Sequence, residues 1–373
     1  YQDFSENLLD NYCIKEIIGS GSIGQVYKIT DKNTKKDYAL KVIHPNLSYQ
    51  INFFKIIIMI INYSLLRYIF YKVLPIDLYQ FIIDFEEQTN MIHETNNCLK
   101  FQENYQNNQK IIIPEIYKCS KNILLMSYEE GIPFDDLNTN EYIKFKSIQL
   151  LQIFTKNNQI INNFNHGDMH KGNWKVSLIN NKPSLVIYDF GFCWKLKYKN
   201  KDMLDFIDKT FIKLDDGINC EKELIIISRF LLHDKCGDDI IKKQISRNKT
   251  IVDPFVLLDI IITIAKEEQI ILDSVLIQIL IYINQITQSL TKYGFIRKEK
   301  NNQRKGYNGY EYYRKRLIDI YCMCKTHHIF LRYQKYLEKR FTEMDISINS
   351  IFETIVIDND FQNYPNIKKR AIY

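Results

Sequence analysis

The sequence lacks several features that would assign it at once to a class of protein. Its eight cysteines show no regular disulfide spacing, which favours a reducing, intracellular compartment. Its start carries no secretory signal pattern, and it contains no internal repeat. Glycine and alanine are scarce while Ile, Asn, Lys and Tyr are overused, a bias that we attribute to an AT-rich genome. Because the chain begins with Tyr1, not Met, we expect a trimmed fragment whose targeting information is missing.

The sequence also lacks an uninterrupted apolar run of the length that crosses a membrane. Its most apolar stretch, 53–73, contains Lys55, Asn62 and Arg67, and a charge near the middle of a span is costly. A buried or amphipathic helix is the better interpretation. The net charge of +6 is spread along the chain, so we expect no nucleic-acid partner and leave peripheral contact with a membrane open. The 373 residues suffice for one large or two medium domains.

Strand patterns come first and helical patterns later. Residues 12–43 predict three strands, with a glycine loop after the first and a turn at 31–34 after the second. The other predicted elements are helices over 50–107, strands over 114–117 and 122–128, a chain break at 130–133, a helix over 140–164, a hairpin with strands at 176–179 and 185–188 around the turn 180–183, and helices from about 200 to the end.

This order predicts an α+β fold of two lobes. Residues 1–130 would form a small lobe with an antiparallel sheet and a helical insert at about 48–84. Residues 131–373 would form a larger, mainly helical lobe. A cleft between two lobes is a common place for a ligand.

A glycine loop follows the first predicted strand. The segment 19–24 fits G-x-G-x-x-G, which alone also matches dinucleotide-binding folds or an ordinary hairpin turn. Because a strand and not a helix follows, we favour a loop whose backbone amides lie over phosphates. The predicted nucleotide-binding residues here are Gly19, Ser20, Gly21, Ser22 and Gly24.

The third predicted strand carries Lys41. Ala39 and Lys41 point to the same face of this strand, so the small residue leaves room for a flat base and the ammonium can reach phosphate oxygens. We add Met126 and Tyr128, at the end of the strand over 122–128, to the nucleotide-binding residues. An exposed lysine at a sheet edge is the alternative.

A lysine in this position needs a carboxylate partner. We choose Glu94, in a helix predicted over 85–106, as a catalytic residue together with Lys41. Glu86, Glu87 and Glu103 are competitors in the same helix. A solvated glutamate is the alternative for Glu94.

Two segments in the second half of the chain supply the remaining groups for phosphoryl transfer. Asp168 would orient the attacking hydroxyl or water and accept its proton. Asn173 and Asp189 would ligate Mg²⁺, which prefers hard oxygen ligands. His166 and His170 would brace the loop by hydrogen bonds. A second cluster, Cys322, Cys324, His327 and His328, lacks a further ligand pair at zinc-finger spacing, so we predict no metal site there.

At these residues the sequence resembles the UbiB/ADCK family of atypical protein-kinase-like proteins, which is linked to coenzyme Q. The matching segments are 22–27, 39–45, Glu94 with Phe101, 166–173 and 189–191, within about residues 10–200. The resemblance implies a bilobal protein-kinase-like fold with extra helices, binding of ATP and Mg²⁺, and slow ATPase or phosphotransferase activity. It further implies an unknown protein, lipid or small-molecule acceptor, and an organelle or membrane-associated location.

Three departures from that family pattern stand out. Gly19-Ser20-Gly21 replaces an alanine-rich loop, and Gln88 and Asn90 replace an acidic Glu-x-Asp pair. The family's occluding Lys-x-Gly-Gln helix is absent from these residues. Together they predict a more open, conventional kinase cleft. Two alternatives stay open: a small-molecule kinase of the aminoglycoside or choline type, and a nucleotide-binding pseudokinase that acts as a scaffold.

Overall fold

The computed structural model describes residues 7–64, 66–106, 108–137, 141–195, 219–247, 254–273 and 331–343, with isolated positions at 203, 206–207, 210, 214 and 321. These residues form a sheet-bearing N-terminal lobe and a larger, mainly helical C-terminal lobe. The α+β architecture predicted from the sequence is confirmed. The cysteine–histidine cluster at 322–328 and the helices predicted over 274–320 and 344–373 lie outside the described residues.

The N-terminal lobe is built on a five-stranded antiparallel sheet of order β1-β2-β3-β6-β5. Its strands are β1 (Tyr12–Ser20), β2 (Gly24–Asp31), β3 (Asp37–Ile43), β5 (Ile116–Cys119) and β6 (Ile123–Ser127). The turn between β2 and β3 forms where predicted, because the Asp31 carboxylate accepts the backbone N–H groups of Asn33 and Thr34, both at 2.8 Å. Every residue of β6 is buried.

Five helices of this lobe lie within the described residues. They are the short α1 (Leu8–Asn11), α2 (Leu47–Asn62), α3 (Leu66–Val73), α4 (Leu78–Gln88) and α5 (Met91–Asn104). The single helix predicted over 85–106 is wrong, because the chain breaks between α4 and α5. Asn90 lies in extended backbone there, and its Oδ1 accepts the backbone N–H of Ile92 at 3.1 Å as an N-cap. The cap starts a new helix axis just before Glu94.

The C-terminal lobe begins after the linker at 128–133. Its elements are β4 (Ile111–Ile112), which precedes the linker in sequence, α6 (Glu141–Lys156), a π-helix (Asn157–Asn162), β7 (Asn165–His166), β8 (Trp174–Ile179), β9 (Lys182–Ile187), β10 (Cys193–Trp194), α7 (Glu221–Leu231), α8 (Asp238–Arg247), α9 (Pro254–Glu267) and α10 (Leu331–Glu343). The four-residue turn predicted at 180–183 is shorter than expected. Asn180 and Asn181 adopt φ of 51° and 59°, so a two-residue turn suffices and Lys182 and Pro183 join β9.

The core of this lobe holds large side chains that the helical pattern predicted. Ile148, Leu151 and Phe154 of α6 are buried against Trp174 and the hairpin. The helix predicted over 140–164 does not stay α-helical to its end, because its last turn widens into the π-helix. Phe101 of α5 belongs to the same core, so α5 joins the two lobes.

A second connection between the lobes lies at residues 75–77. The backbone N–H of Leu272 donates to the carbonyl of Pro75 at 2.8 Å, and the N–H of Asp77 donates to the carbonyl of Leu272 at 3.1 Å. Leu272 is buried in the core of the C-terminal lobe. The carboxylate of Asp77 also accepts the N–H of Gln80 as the N-cap of α4. This strap therefore ties the start of α4 to the other lobe.

Among the described residues, no single helix has the length and apolar character to cross a membrane. Helices α2 and α3 reach the required length and apolar character only when they are taken together, and they are bent by 108° relative to each other.

Candidate active site

The centre of the candidate site is Lys41 on β3. Its Nζ donates to both carboxylate oxygens of Glu94, at 2.9 and 2.8 Å, and to Oδ1 of Asp189 at 2.8 Å. Lys41 and Glu94 are buried, whereas the Asp189 side chain is 45% exposed. Strand β3, helix α5 and the segment after β9 thus bring together three residues that are far apart in sequence.

The structure separates Glu94 from two of its competitors. Glu86 forms an ion pair with Lys55 at 2.5 Å, which holds α4 against α2. Glu103 forms an ion pair with Lys100 on its own helix at 2.6 Å. Among the glutamates considered from the sequence, Glu94 is the one that the structure pairs with Lys41.

One ammonium and two carboxylates set the electrostatics of this centre. Burial alone would lower the pKa of Lys41, but Asp189 and Glu94 outweigh it and raise that pKa well above its ordinary value. Burial raises the pKa of Glu94, and Lys41 opposes that shift. For Asp189, burial is the largest single cause and raises the pKa, but the charge and hydrogen bond of Lys41, with smaller contributions from His166 and the N–H of Gly191, together outweigh it and the pKa is lowered. The centre therefore carries excess negative charge, which suits a cation.

Asp189 has a backbone conformation that is uncommon for a residue with a side chain. Its φ is 54°, in the left-handed region that costs an L-residue of order 1–3 kcal/mol. Its Oδ1 accepts the backbone N–H of Gly191 at 3.3 Å. Strain of this kind persists only where the surroundings enforce it, and it aims the carboxylate at Lys41.

The predicted catalytic loop joins Asp168 to Asn173. Nδ2 of Asn173 donates to the backbone carbonyl of Asp168 at 2.8 Å and to its Oδ2 at 3.4 Å. This orientation leaves Oδ1 of Asn173 as the atom with which the amide could ligate a cation. Asn173 is buried and the Asp168 carboxylate is partly exposed.

His166 braces this loop, as predicted. It is fully buried, and burial lowers its pKa despite the nearby carbonyl of Tyr188. Its Nδ1 accepts the backbone N–H of Asp168 at 3.2 Å, so its Nε2–H donates to the carbonyl of Tyr188 at 2.9 Å. The ring also lies beside Phe101 and Phe190. A neutral histidine therefore links the loop to the residue that precedes Asp189.

His170 supports the other side of the same loop. Its Nδ1 accepts the backbone N–H of Gly172 at 3.0 Å. Its Nε2 lies 3.5 Å from Oδ2 of Asp168. His166 thus holds the Asp168 backbone, and His170 lies beside the Asp168 carboxylate.

The glycine loop is shorter than predicted. Gly19 and Ser20 belong to β1, where they pair with Val26 and Gln25, and Gly24 opens β2. The loop proper is 21–23. Gly19, Ser20 and Gly24 belong to strands because the antiparallel pairing of β1 with β2 continues almost to the turn.

His44 fixes the tip of this loop. Its Nε2 lies 2.9 Å from the carbonyl of Gly21, to which it can donate, and its backbone N–H donates to the carbonyl of Ile23 at 2.9 Å. The N–H of Gly21 in turn donates to the carbonyl of Gly24 at 2.9 Å. The sequence placed His44 in the matching segment 39–45, but no role was predicted for it.

The predicted base-binding residues share one apolar cluster. Ala39 and Met126 face each other in the pairing of β3 with β6, and Tyr128 packs against the same cluster. Ile18 and Val26, for which no part in the nucleotide site was predicted, complete it from β1 and β2. Their signal was available, because both flank the glycine loop on its strands.

Asn97 is a further residue that the sequence analysis missed. It is buried, and its Nδ2 donates to the carbonyl of Phe190 at 2.9 Å. It lies three residues after Glu94, so both project from the same face of α5. One helix face thus holds both Lys41 and the turn that carries Asp189.

The two family positions without acidic residues lie at the junction of α4 and α5. Asn90 uses its Oδ1 in the helix cap. The backbone carbonyl of Gln88 lies close to Gly191, 3.5 Å from where a Cβ would stand on that glycine. This junction is therefore next to the Asp189 turn, and the asparagine side chain serves the local fold.

No group of three or more His, Cys, Asp and Glu side chains that could hold a metal occurs within the part of the chain that the structure describes. An Mg²⁺ ion bound together with a nucleotide needs fewer protein ligands, since phosphates and water complete its shell. Asn173 and Asp189 offer the hard oxygen atoms for such an ion.

Comparisons with known proteins agree on one kind of domain. Residues 11–218 match the model of the ABC1 atypical kinase-like domain. The chain is 29% identical over 223 residues to the probable protein kinase UbiB of Erwinia tasmaniensis, covering 56% of this chain and 39% of that protein. It is 30% identical over 202 residues to the probable protein kinase UbiB of Blochmanniella pennsylvanica, covering 49% of this chain and 35% of that protein. The chain spans well under half the length of these relatives.

Two solved structures show more distant similarity. The complex of Rv3197 with erythromycin from Mycobacterium tuberculosis has a TM-score of 0.41 and 16% identity, over 54% of this chain and 50% of that one. The Rio2 kinase–ADP/Mg²⁺–phosphoaspartate complex from Chaetomium thermophilum has a TM-score of 0.33 and 15% identity, over 55% of this chain and 56% of that one.

Proposed function

The chain belongs to the ABC1 atypical kinase-like domain family, and from that premise we propose that it is an Mg-ATP-dependent atypical kinase or ATPase. It would transfer the γ-phosphate of ATP to a protein, lipid or small-molecule acceptor, or hydrolyse it. The observation that carries the proposal is the contact of Lys41 with Glu94 and Asp189, at 2.8–2.9 Å.

Each residue has a separate task in this proposal. Lys41, held by Glu94, presents an ammonium to the phosphates. Asp168 orients the acceptor hydroxyl or water and takes its proton. Asn173 and Asp189 would hold the metal through oxygen atoms, and Mg²⁺ with ATP supplies the charge neutralisation that phosphoryl transfer requires.

The cleft has a matching division of chemistry. The apolar cluster around Ala39 and Met126 offers a place for a flat base, and the charged centre begins two residues further along β3 at Lys41. The glycine loop lies between the end of β1 and the start of β2 on the same sheet. Base, phosphates and metal would thus occupy successive zones of one site.

Mg-ATP binding by thermal shift and ATP turnover test the proposal. We expect turnover by the wild type, and a loss of at least about a hundredfold in Asp168→Asn and Asp189→Asn. Asp239→Asn, at an exposed position on α8, is the matched control and should keep full turnover.

Two results would count against an enzyme at this site. Binding of Mg-ATP without any turnover by the wild type would favour the nucleotide-binding scaffold. Turnover that persists in both variants would place the chemistry elsewhere.

A further inference from the structure

The outward face of α2 is apolar along its whole length. Apolar residues recur there every three or four positions, which places them on one side of the helix. They are Tyr49, Phe53, Ile56, Ile60 and Tyr63, and all are exposed. Phe53 and Ile60 keep 61% and 60% of their surface exposed and Tyr63 keeps 92%. A soluble protein rarely leaves so continuous an apolar stripe uncovered.

The opposite face of α2 is the one that packs against the rest of the protein. Leu47, Ile51 and Ile58 are buried, and α2 packs with this side toward α4. Lys55 points to the same neighbour, because it pairs with Glu86 of α4. The helix therefore has one apolar face that the protein covers and a second that it does not.

Helix α3 extends the uncovered apolar surface around a bend. Leu66, Ile69 and Val73 recur at helical spacing and are exposed. The two helices are bent by 108° relative to each other, so Leu47–Asn62 and Leu66–Val73 form the two arms of an elbow, and each arm carries one exposed stripe. We call this surface the α2–α3 elbow.

The charge of this segment has a single sign. Residues 47–76 contain no Asp or Glu and three basic residues, Lys55, Arg67 and Lys72. Arg67 and Lys72 are exposed on α3, where they lie over the rings of Tyr71 and Tyr68 at 5.8 and 4.5 Å. Cations and aromatic rings beside an apolar stripe match the headgroup region of an anionic bilayer.

We propose that the α2–α3 elbow is a docking surface for an anionic lipid bilayer. The apolar stripe enters the boundary between headgroups and acyl chains, and Arg67 and Lys72 contact lipid phosphates. The helices lie in the membrane plane, since the bend separates them into two short segments. A protein partner would need matching acidic groups at an apolar groove, whereas an anionic bilayer offers both chemistries over any extent.

Sedimentation of the full chain with vesicles tests this surface. We compare vesicles of phosphatidylcholine alone with vesicles that also contain phosphatidylglycerol. The wild type should bind the anionic vesicles, and salt should weaken that binding. The double variant Phe53→Ser with Ile60→Ser should bind at least about tenfold more weakly, because two exposed apolar side chains no longer enter the bilayer. Both residues are exposed, so the fold should persist, as circular dichroism can verify.

Charge reversal gives a second, independent measurement. Arg67→Glu with Lys72→Glu should lose the preference for anionic vesicles and the salt dependence. Matched controls at exposed sites elsewhere should bind like the wild type. They are Ile226→Ser with Leu331→Ser for the apolar pair and Lys222→Glu with Lys235→Glu for the charged pair.

Four outcomes would overturn the proposal. The first is a wild type that sediments with neither vesicle type, and the second is binding of the elbow variants as tight as that of the controls. A dimer in the absence of vesicles that the Phe53→Ser with Ile60→Ser variant abolishes would instead make the elbow an interface between copies. Resistance of the bound protein to alkaline carbonate extraction would indicate insertion across the bilayer and would contradict docking in its plane.

Discussion

Two glycines of the nucleotide-loop motif should respond in opposite ways to the same substitution. A Cβ added at Gly24 would stand 2.3 Å from the carbonyl oxygen of Val42 and 3.2 Å from Cα of Ile43, both backbone atoms of the neighbouring strand. A Cβ at Gly21 would meet no heavy atom within 4 Å. Both positions are glycines of the same motif, but packing against the neighbouring strand requires a glycine only at Gly24.

The expected magnitudes follow from these contacts. Gly24→Ala forces β2 away from β3, and overpacking costs about 1–3 kcal/mol, to which weakened strand hydrogen bonds add about 1 kcal/mol. We therefore expect a loss of about 2–4 kcal/mol in the free energy of unfolding. Gly21→Ala should be neutral or stabilise by up to about 1 kcal/mol, because it reduces the freedom of the unfolded chain without a clash.

Urea denaturation followed by circular dichroism measures both variants against the wild type. The difference between them should exceed about 2 kcal/mol, well above the error of the extrapolation for variants with similar slopes. Equal destabilisation by both substitutions would refute the packing argument, and so would a neutral Gly24→Ala. The affinity of each folded variant for Mg-ATP then shows, independently of stability, what the backbone amides of the loop contribute to nucleotide binding.

Three other changes test the neighbours of the site. His44→Ala removes the partner of the Gly21 carbonyl and should raise the KM for ATP roughly three- to tenfold with kcat nearly unchanged. His44→Gln keeps a hydrogen-bond donor and should return the KM most of the way to the wild-type value. Equal effects of both substitutions would contradict a positioning role. Asn97→Ala leaves the buried carbonyl of Phe190 without its donor. It should lower the free energy of unfolding, measured by urea denaturation, by about 1–3 kcal/mol and should reduce ATP turnover. A loss of stability with full turnover would show that Asn97 has a structural role alone. Burial raises the pKa of Asp189, but the charge and hydrogen bond of Lys41 together with His166 and the N–H of Gly191 outweigh it, so the pKa is lowered. The stabilisation is therefore present above the unfolded pKa near 3.8 and disappears as the pH falls through the folded pKa. Asp189→Asn should therefore flatten the acid limb of stability measured in a pH series, and an acid limb identical to that of the wild type would contradict this.

The sequence predicted the family resemblance and the two-lobed fold, and both are confirmed. The strands around Lys41 and the glycine loop could be predicted because the alternation of apolar and polar residues is a local pattern. Glu94 could be selected as the partner of Lys41 because helical spacing and the position in the chain agreed, and the structure brings the two together. The catalytic and metal-binding roles of these residues stay predictions.

Other features could not be predicted because they depend on single polar groups. The break before α5 follows from one capping side chain, Asn90, and a periodic apolar pattern passes through it unchanged. The side chains of His44 and Asn97 each make one hydrogen bond to a backbone carbonyl, and residue spacing in the sequence does not predict such a contact. The two-residue turn at Asn180 and Asn181 was obscured because the following Lys182 and Pro183 also resemble turn residues.

The strap between Pro75, Asp77 and Leu272 limits the ways in which the two lobes can move. Each attachment between two bodies removes directions in which one can tilt against the other. The linker at 128–133 and helix α5 are two such attachments, and the strap adds a third at the start of α4. Opening of the cleft is therefore restricted on the side of α4 as well. A displacement of Leu272 would be passed to the start of α4, the helix that precedes α5 and Glu94.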